Sequence, residues 1–136
     1  MSAIKRDQAD IWFSKAVRHR DGHTCQSCSK GPTVECAHII GRANKSTRWD
    51  LDNAVSLCHY CHRYYTANPI DFYDFIEALY GYERLDDLRE KKRAILKTTK
   101  ETRKYFAKHY RDEVRKAEAN HGYTIVNLDP WSDCDA

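Results

Sequence analysis

The sequence lacks every common route into or across a membrane. No run of 18 or more apolar residues occurs, so no segment is long enough to span a bilayer as a helix. The opening MSAIKRDQAD carries charges where a secretory peptide needs an apolar stretch, so export is not expected. Internal repeats are absent, and methionine is absent after Met1. These absences lead to the expectation of a cytoplasmic protein with no membrane partner, in a reducing compartment. A chain of 136 residues is sufficient for one core but not for two independent ones.

Positive charge is unevenly placed. Residues 83–118 hold 13 Lys/Arg against 8 Asp/Glu, whereas the rest of the chain holds 10 against 12. A local basic surface of this kind suits phosphate contacts, although a helix dense in both signs is also what a plain solvated face looks like.

Six cysteines in a reducing setting are read as metal ligands before disulfides. Four of them form two C-x-x-C pairs, Cys25 with Cys28 and Cys58 with Cys61, separated by 29 residues. Two such knuckles supply the four thiolates of a tetrahedral Zn²⁺ site. A site closed by four sulfurs has no open position for water, so its expected role is structural, a staple between the two knuckles. Cys36 and Cys134 are left over. The string CHYCH also fits covalent haem attachment, but the missing export segment and the missing second methionine weigh against it.

Periodicity predicts a helix over 7–19, a strand over 33–40 bounded by Pro32 and Gly41, and a second strand over 54–57. CHYCHRYY opens a helix, and another is marked over 69–80 by Asn68 as cap, Pro69 at the first position and Gly81 as stop. Asp21-Gly22 reads as a turn leading into the first knuckle. Helical spacing continues from Leu85 to Val114, with Thr98-x-x-Glu101 as a capping box dividing it. Residues 120–136 end acidic, as a docked strand or a tail. The expected organisation is a zinc-stabilised domain over 1–82, a basic helical extension over 83–119 and a tail over 120–136.

Upon this frame lie His38, Asn53 and His62, spaced by 14 and 8 residues. A neutral imidazole suits proton abstraction from water near pH 7, which assigns His38 as general base. Asn53 can orient the base or its loop through donor and acceptor together, and His62 can ligate a hard divalent cation, Mg²⁺ or Mn²⁺. Arg42, Lys45, Arg48 and Arg63 lie closest in sequence to these residues and are the expected DNA contacts.

The strand, loop, strand and helix that carry this pattern over 18–66 resemble the ββα-metal (H-N-H) nuclease fold, so the expected class is α+β, with a zinc-stapled core flanked by an N-terminal helix and basic C-terminal helices. That fold often places a carboxylate immediately before the base, where this chain has Ala37. Glu35, Asp50 and Asp52 are the substitutes, although strand alternation puts Glu35 on the face opposite His38. From ADIWFSKAVRHRDGHTCQSC, TRWDLDNAVSLCHYC and ERLDDL the chain further resembles the NinG/Rap family of phage recombination endonucleases. The resemblance implies cleavage of branched DNA, Holliday junctions and D-loops, in the host cytoplasm if the chain is phage-encoded. Cutting two opposed strands of a junction would suit a homodimer. The alternatives are a non-catalytic zinc module that binds DNA, and a general nicking or homing-type H-N-H endonuclease.

Overall fold

The computed structural model describes residues 5–128. The first helix, α1 (Gln8–Arg20), begins at a reciprocal cap: the Asp7 carboxylate accepts from the Asp10 amide at 3.0 Å and the Asp10 carboxylate from the Asp7 amide at 2.9 Å. Two of the donors that a helix start leaves open are thereby satisfied. The chain turns at Gly22, whose φ of 63° is the positive value expected of Asp21-Gly22. It then makes the first knuckle and enters β1 (Glu35–His38).

This strand is shorter than the 33–40 expected. The Ile39 amide still donates across to the Asn53 carbonyl at 2.8 Å, and the ladder ends there because the Asn53 amide turns to the Asp50 carbonyl at 2.9 Å and the Ile40 amide to the Asn53 side chain at 2.7 Å. A short helix, α2 (Lys45–Arg48), and a 3-10 turn over Leu51–Asn53 lead into β2 (Ala54–Leu57). The two strands pair antiparallel, with Glu35 opposite Leu57 and His38 opposite Ala54.

Four helices follow: α3 (His59–Ala67), α4 (Pro69–Tyr80), α5 (Tyr82–Arg93) and α6 (Lys100–Ala119). Two expected caps differ. Asn68 makes no cap bond to α4; its amide donates back to the Tyr64 carbonyl at 2.8 Å, closing α3 instead. At α6 the cap is Thr99, not Thr98, because extended backbone at Thr99 brings its hydroxyl to the Thr102 amide at 3.2 Å. Beyond α6 the described residues form no strand. Residues 123–128 dock as extended chain, with Ile125 and Leu128 buried and the Asn127 side-chain Oδ1 accepting from the Leu51 amide at 2.9 Å. The acidic end and Cys134 lie outside the described residues.

Two apolar clusters form the interior. In one, Phe13 and Val17 of α1 meet Trp49 and Phe106, Tyr110 and Val114 of α6. Trp49 stacks on Phe106 at 4.8 Å and Phe13 meets Tyr110 edge-on at 5.2 Å. Residues read as a basic extension thus supply Phe106, Tyr110 and Val114 to this cluster. The other lies under the hairpin, where Val55 and Leu57 meet Phe72, Ile76, Leu85 and Leu88. The architecture is a helix-rich α+β arrangement around a two-stranded sheet. Among the described residues no helix is long and apolar enough to cross a membrane.

Candidate functional site

The hairpin is closed at one end by the two knuckles. The Sγ atoms of Cys25, Cys28, Cys58 and Cys61 lie within 4.8 Å of one another, and those of Cys28 and Cys58 are 3.7 Å apart. Four sulfurs at 2.3 Å from a tetrahedral zinc are separated by about 3.8 Å, so the cluster can hold that ion. Backbone amides already face the sulfurs, Cys28 toward Cys25 at 3.5 Å and Cys61 toward Cys58 at 3.4 Å. Burial raises the Cys25 thiol, but the Cys58, Cys28 and Ser27 backbones outweigh it and lower the thiol to about 7, toward the thiolate a metal requires. The chain can fold so tightly here because residue 31 is glycine: a Cβ on Gly31 would run into the His23 carbonyl oxygen. Cys36 takes no part; burial pushes its thiol up to about 12, which leaves it unreactive at neutral pH.

Along β1 a cleft of about 340 Å³ opens between α1, β1 and α3. His38 and His62 both line it, with Glu35 and with Arg6, Arg18 and Arg42. His38 Nε2 lies 2.9 Å from the Arg48 carbonyl oxygen. A carbonyl can only accept, so Nε2 carries the proton and Nδ1 is the basic nitrogen. Burial, with Arg42 and Arg48 adding to it, lowers the imidazole to about 4 despite the opposing bond to Arg48, and it is neutral throughout the physiological range.

Asn53 is fully buried and does not touch the imidazole. Its Oδ1 accepts from the Ile40 amide, and its Nδ2 donates to the Ile40 carbonyl at 2.9 Å and the Thr47 carbonyl at 3.0 Å. It pins both ends of the loop whose Arg48 carbonyl holds His38.

Glu35 occupies a place that alternation along the strand does not predict. It lines the same cleft as His38, and its carboxylate accepts from His62 Nδ1 at 2.8 Å and His59 Nδ1 at 3.1 Å. The reason is position: Glu35 is the first residue of a four-residue strand, and its long side chain reaches across to the first turns of α3. The His62 bond, with help from His59, holds its carboxyl below the usual carboxylate range against burial. The other two candidates are engaged elsewhere. Asp50 pairs with Lys91 at 2.7 Å, and Asp52 with Arg84 at 3.4 Å.

Of the four expected DNA contacts, Arg42 lines the cleft, Lys45 is exposed at the start of α2, and Arg63 is exposed beside His62 on α3. Arg48 is not available to a ligand. It is 3% exposed, and its guanidinium donates to both carboxylate oxygens of Asp10 at 2.9 and 2.6 Å. The Trp49 indole donates to the same carboxylate at 3.1 Å. Burial works to raise Asp10, but Arg48 and the Asp7 amide overcome it and bring the carboxyl down to about 2. Arg6 and Arg18, which line the cleft, escape the sequence reading. The available signal was a polar row on α1, Asp10, Ser14 and Arg18, at four-residue spacing along a helix whose neighbouring residues are apolar.

A family model described as bacteriophage Lambda NinG protein matches residues 4–120. Neither the curated proteins nor the solved structures contain a significant match.

Proposed function

The chain belongs to the bacteriophage Lambda NinG family, and from that premise and the geometry of the cleft we propose that it is a metal-dependent endonuclease of the H-N-H type acting on branched DNA. The observation that carries the reading is the neutral His38 imidazole, fixed through Nε2 with Nδ1 free to accept a proton, beside three arginines. Arginine forks suit phosphate oxygens, and Arg6, Arg18 and Arg42 would seat a backbone phosphate within reach of the base. His38 Nδ1 then takes the proton of a water whose oxygen attacks phosphorus, and one ester oxygen leaves. A phosphate beside Arg42 would offset part of the charge that depresses His38, moving the base toward a pKa better matched to neutral pH.

Glu35 and His62 offer a carboxylate and an imidazole side by side, donor types that a hard divalent cation accepts while keeping water and substrate oxygens. Mg²⁺ or Mn²⁺ held there would neutralise charge on the phosphate and leaving oxygens. Asn53 acts through the loop, keeping the Arg48 carbonyl on His38 Nε2. The zinc staple fixes the start of α3 and therefore His62.

The test is cleavage of plasmid, linear duplex and four-way junction DNA with and without Mg²⁺ or Mn²⁺. His38→Ala is expected to lower the rate by roughly 10²–10⁴-fold. Equal nicking by wild type and His38→Ala would remove the base assignment. If neither cuts any substrate while the protein still binds DNA, a non-catalytic zinc module replaces the endonuclease.

A further inference from the structure

A second cleft, of about 230 Å³, adjoins the arginine-walled one and shares His38 and His62 with it. Its remaining walls are largely apolar and aromatic, with Ile39, Leu57, Tyr65, Phe72 and Tyr73 among them. The aromatic side is braced from behind: Tyr65 stacks on Phe75 at 5.0 Å and 15°, and leans on Phe72 at 5.4 Å. Phe72 is buried, whereas Tyr73, next to it, is 46% exposed. A rigid apolar slot with one open ring at its edge has no use in the hydrolytic step.

Resting on the endonuclease reading, we propose that this slot receives an unpaired nucleobase of the strand whose phosphate lies in the first cleft. The continuity of the two clefts selects this occupant. A nucleotide joins an anionic phosphate to a flat, largely apolar ring, and the two clefts join a cationic wall to an aromatic one through the same pair of imidazoles. The size agrees, since slots for drug-sized molecules run roughly 300–1,000 Å³ and this one takes a smaller planar group. Every base has a π face, so stacking on tyrosine admits any of the four. A base inside a continuous duplex must first be unstacked, at a free-energy cost, whereas one at a junction, flap or bulge is released already. The slot therefore defines the substrate class as DNA with an unstacked nucleotide at the point of cutting.

The test uses the full chain in Ca²⁺ and two probes: a duplex with a single unpaired 2-aminopurine, and the same duplex fully paired. Wild type should bind the bulged probe about tenfold more tightly and quench its fluorescence. Tyr73→Phe should retain both effects and Tyr73→Ala should lose them, and the half-exposed position makes unfolding by either change a minor concern. Equal affinity for the two probes, or quenching that Tyr73→Ala leaves intact, overturns the slot. A concentration-dependent dimer that Tyr73→Ala dissociates would give the face to a second copy of the chain and overturn it too. None of these readouts needs cleavage, so failure of the slot with wild-type nicking intact leaves the endonuclease standing.

Discussion

At the scale of single residues, the His38 imidazole couples the proposed chemistry to stability. Its folded value, lowered to about 4, lies below the ordinary 6.5. Above pH 6.5 the ring is neutral in both folded and unfolded chains and adds no pH dependence. As pH falls from 6.5 toward 4 the unfolded chain takes up a proton that the folded chain refuses, so stability falls across that window and levels off below it. Compared with His38→Gln, wild type should lose about 3 kcal/mol between pH 7 and 4, measured by urea denaturation at each pH. Parallel curves for the two proteins would contradict the burial argument. The residues of the site differ in how legible they were. His38, Asn53 and His62 stand out because few residue types suit their tasks, and their spacing survives folding. Glu35 was misplaced because alternation fixes where a Cβ starts and not how far a glutamate reaches. Arg48 read as a loop cation because its partner, Asp10, is 38 residues away in another element.

At the scale of elements, the two knuckles and the hairpin depend on one another. Cys25 and Cys28 precede β1, while Cys58 and Cys61 end β2 and open α3. An ion held by all four therefore ties both strands and the helix carrying His62, whereas α1 and α6 are joined by apolar packing and by the ion pair of Arg103 with Asp7, the cap of α1, at 2.7 Å. Removing zinc with a chelator should raise amide hydrogen exchange over 54–67 well before that of α6. Simultaneous loss of protection in both would mean that the clusters unfold as one. Helices α1, α3 and α4 and strand β2 were legible because their apolar spacing and punctuation agree, Gly81 being the clearest stop, with a φ of 94°. The shortening of β1 at its far end was hidden, because it results from the Ile40 amide going to the Asn53 side chain and the Asn53 amide to the Asp50 carbonyl. The docking of 123–128 was equally hidden, since it rests on Asn127 meeting Leu51.

At the scale of the whole molecule, α6 supports the cleft without touching it. Phe106 and Tyr110 close the space beneath Trp49, the residue following Arg48, and the Tyr110 hydroxyl donates to the Trp49 carbonyl. Replacing Phe106, 2% exposed, by alanine should cost roughly 3–5 kcal/mol by thermal or urea unfolding, and should reduce DNA cleavage below the midpoint through loss of the Arg48 carbonyl's position. A loss within 0.5 kcal/mol would show that the α1 and α6 interface carries little of the stability.

The Asp10 and Arg48 pair also sets a rule of inheritance. The segment carrying both knuckles and His38, Asn53 and His62 reads as a portable cassette, and mosaic exchange between related genes, or grafting at the bench, would treat it as one. Yet the carbonyl that holds His38 belongs to a residue whose cation is neutralised by a carboxylate upstream of the cassette. A donor segment with arginine at position 48 must therefore arrive behind a helix with aspartate at position 10, or it imports a buried charge with no counterion.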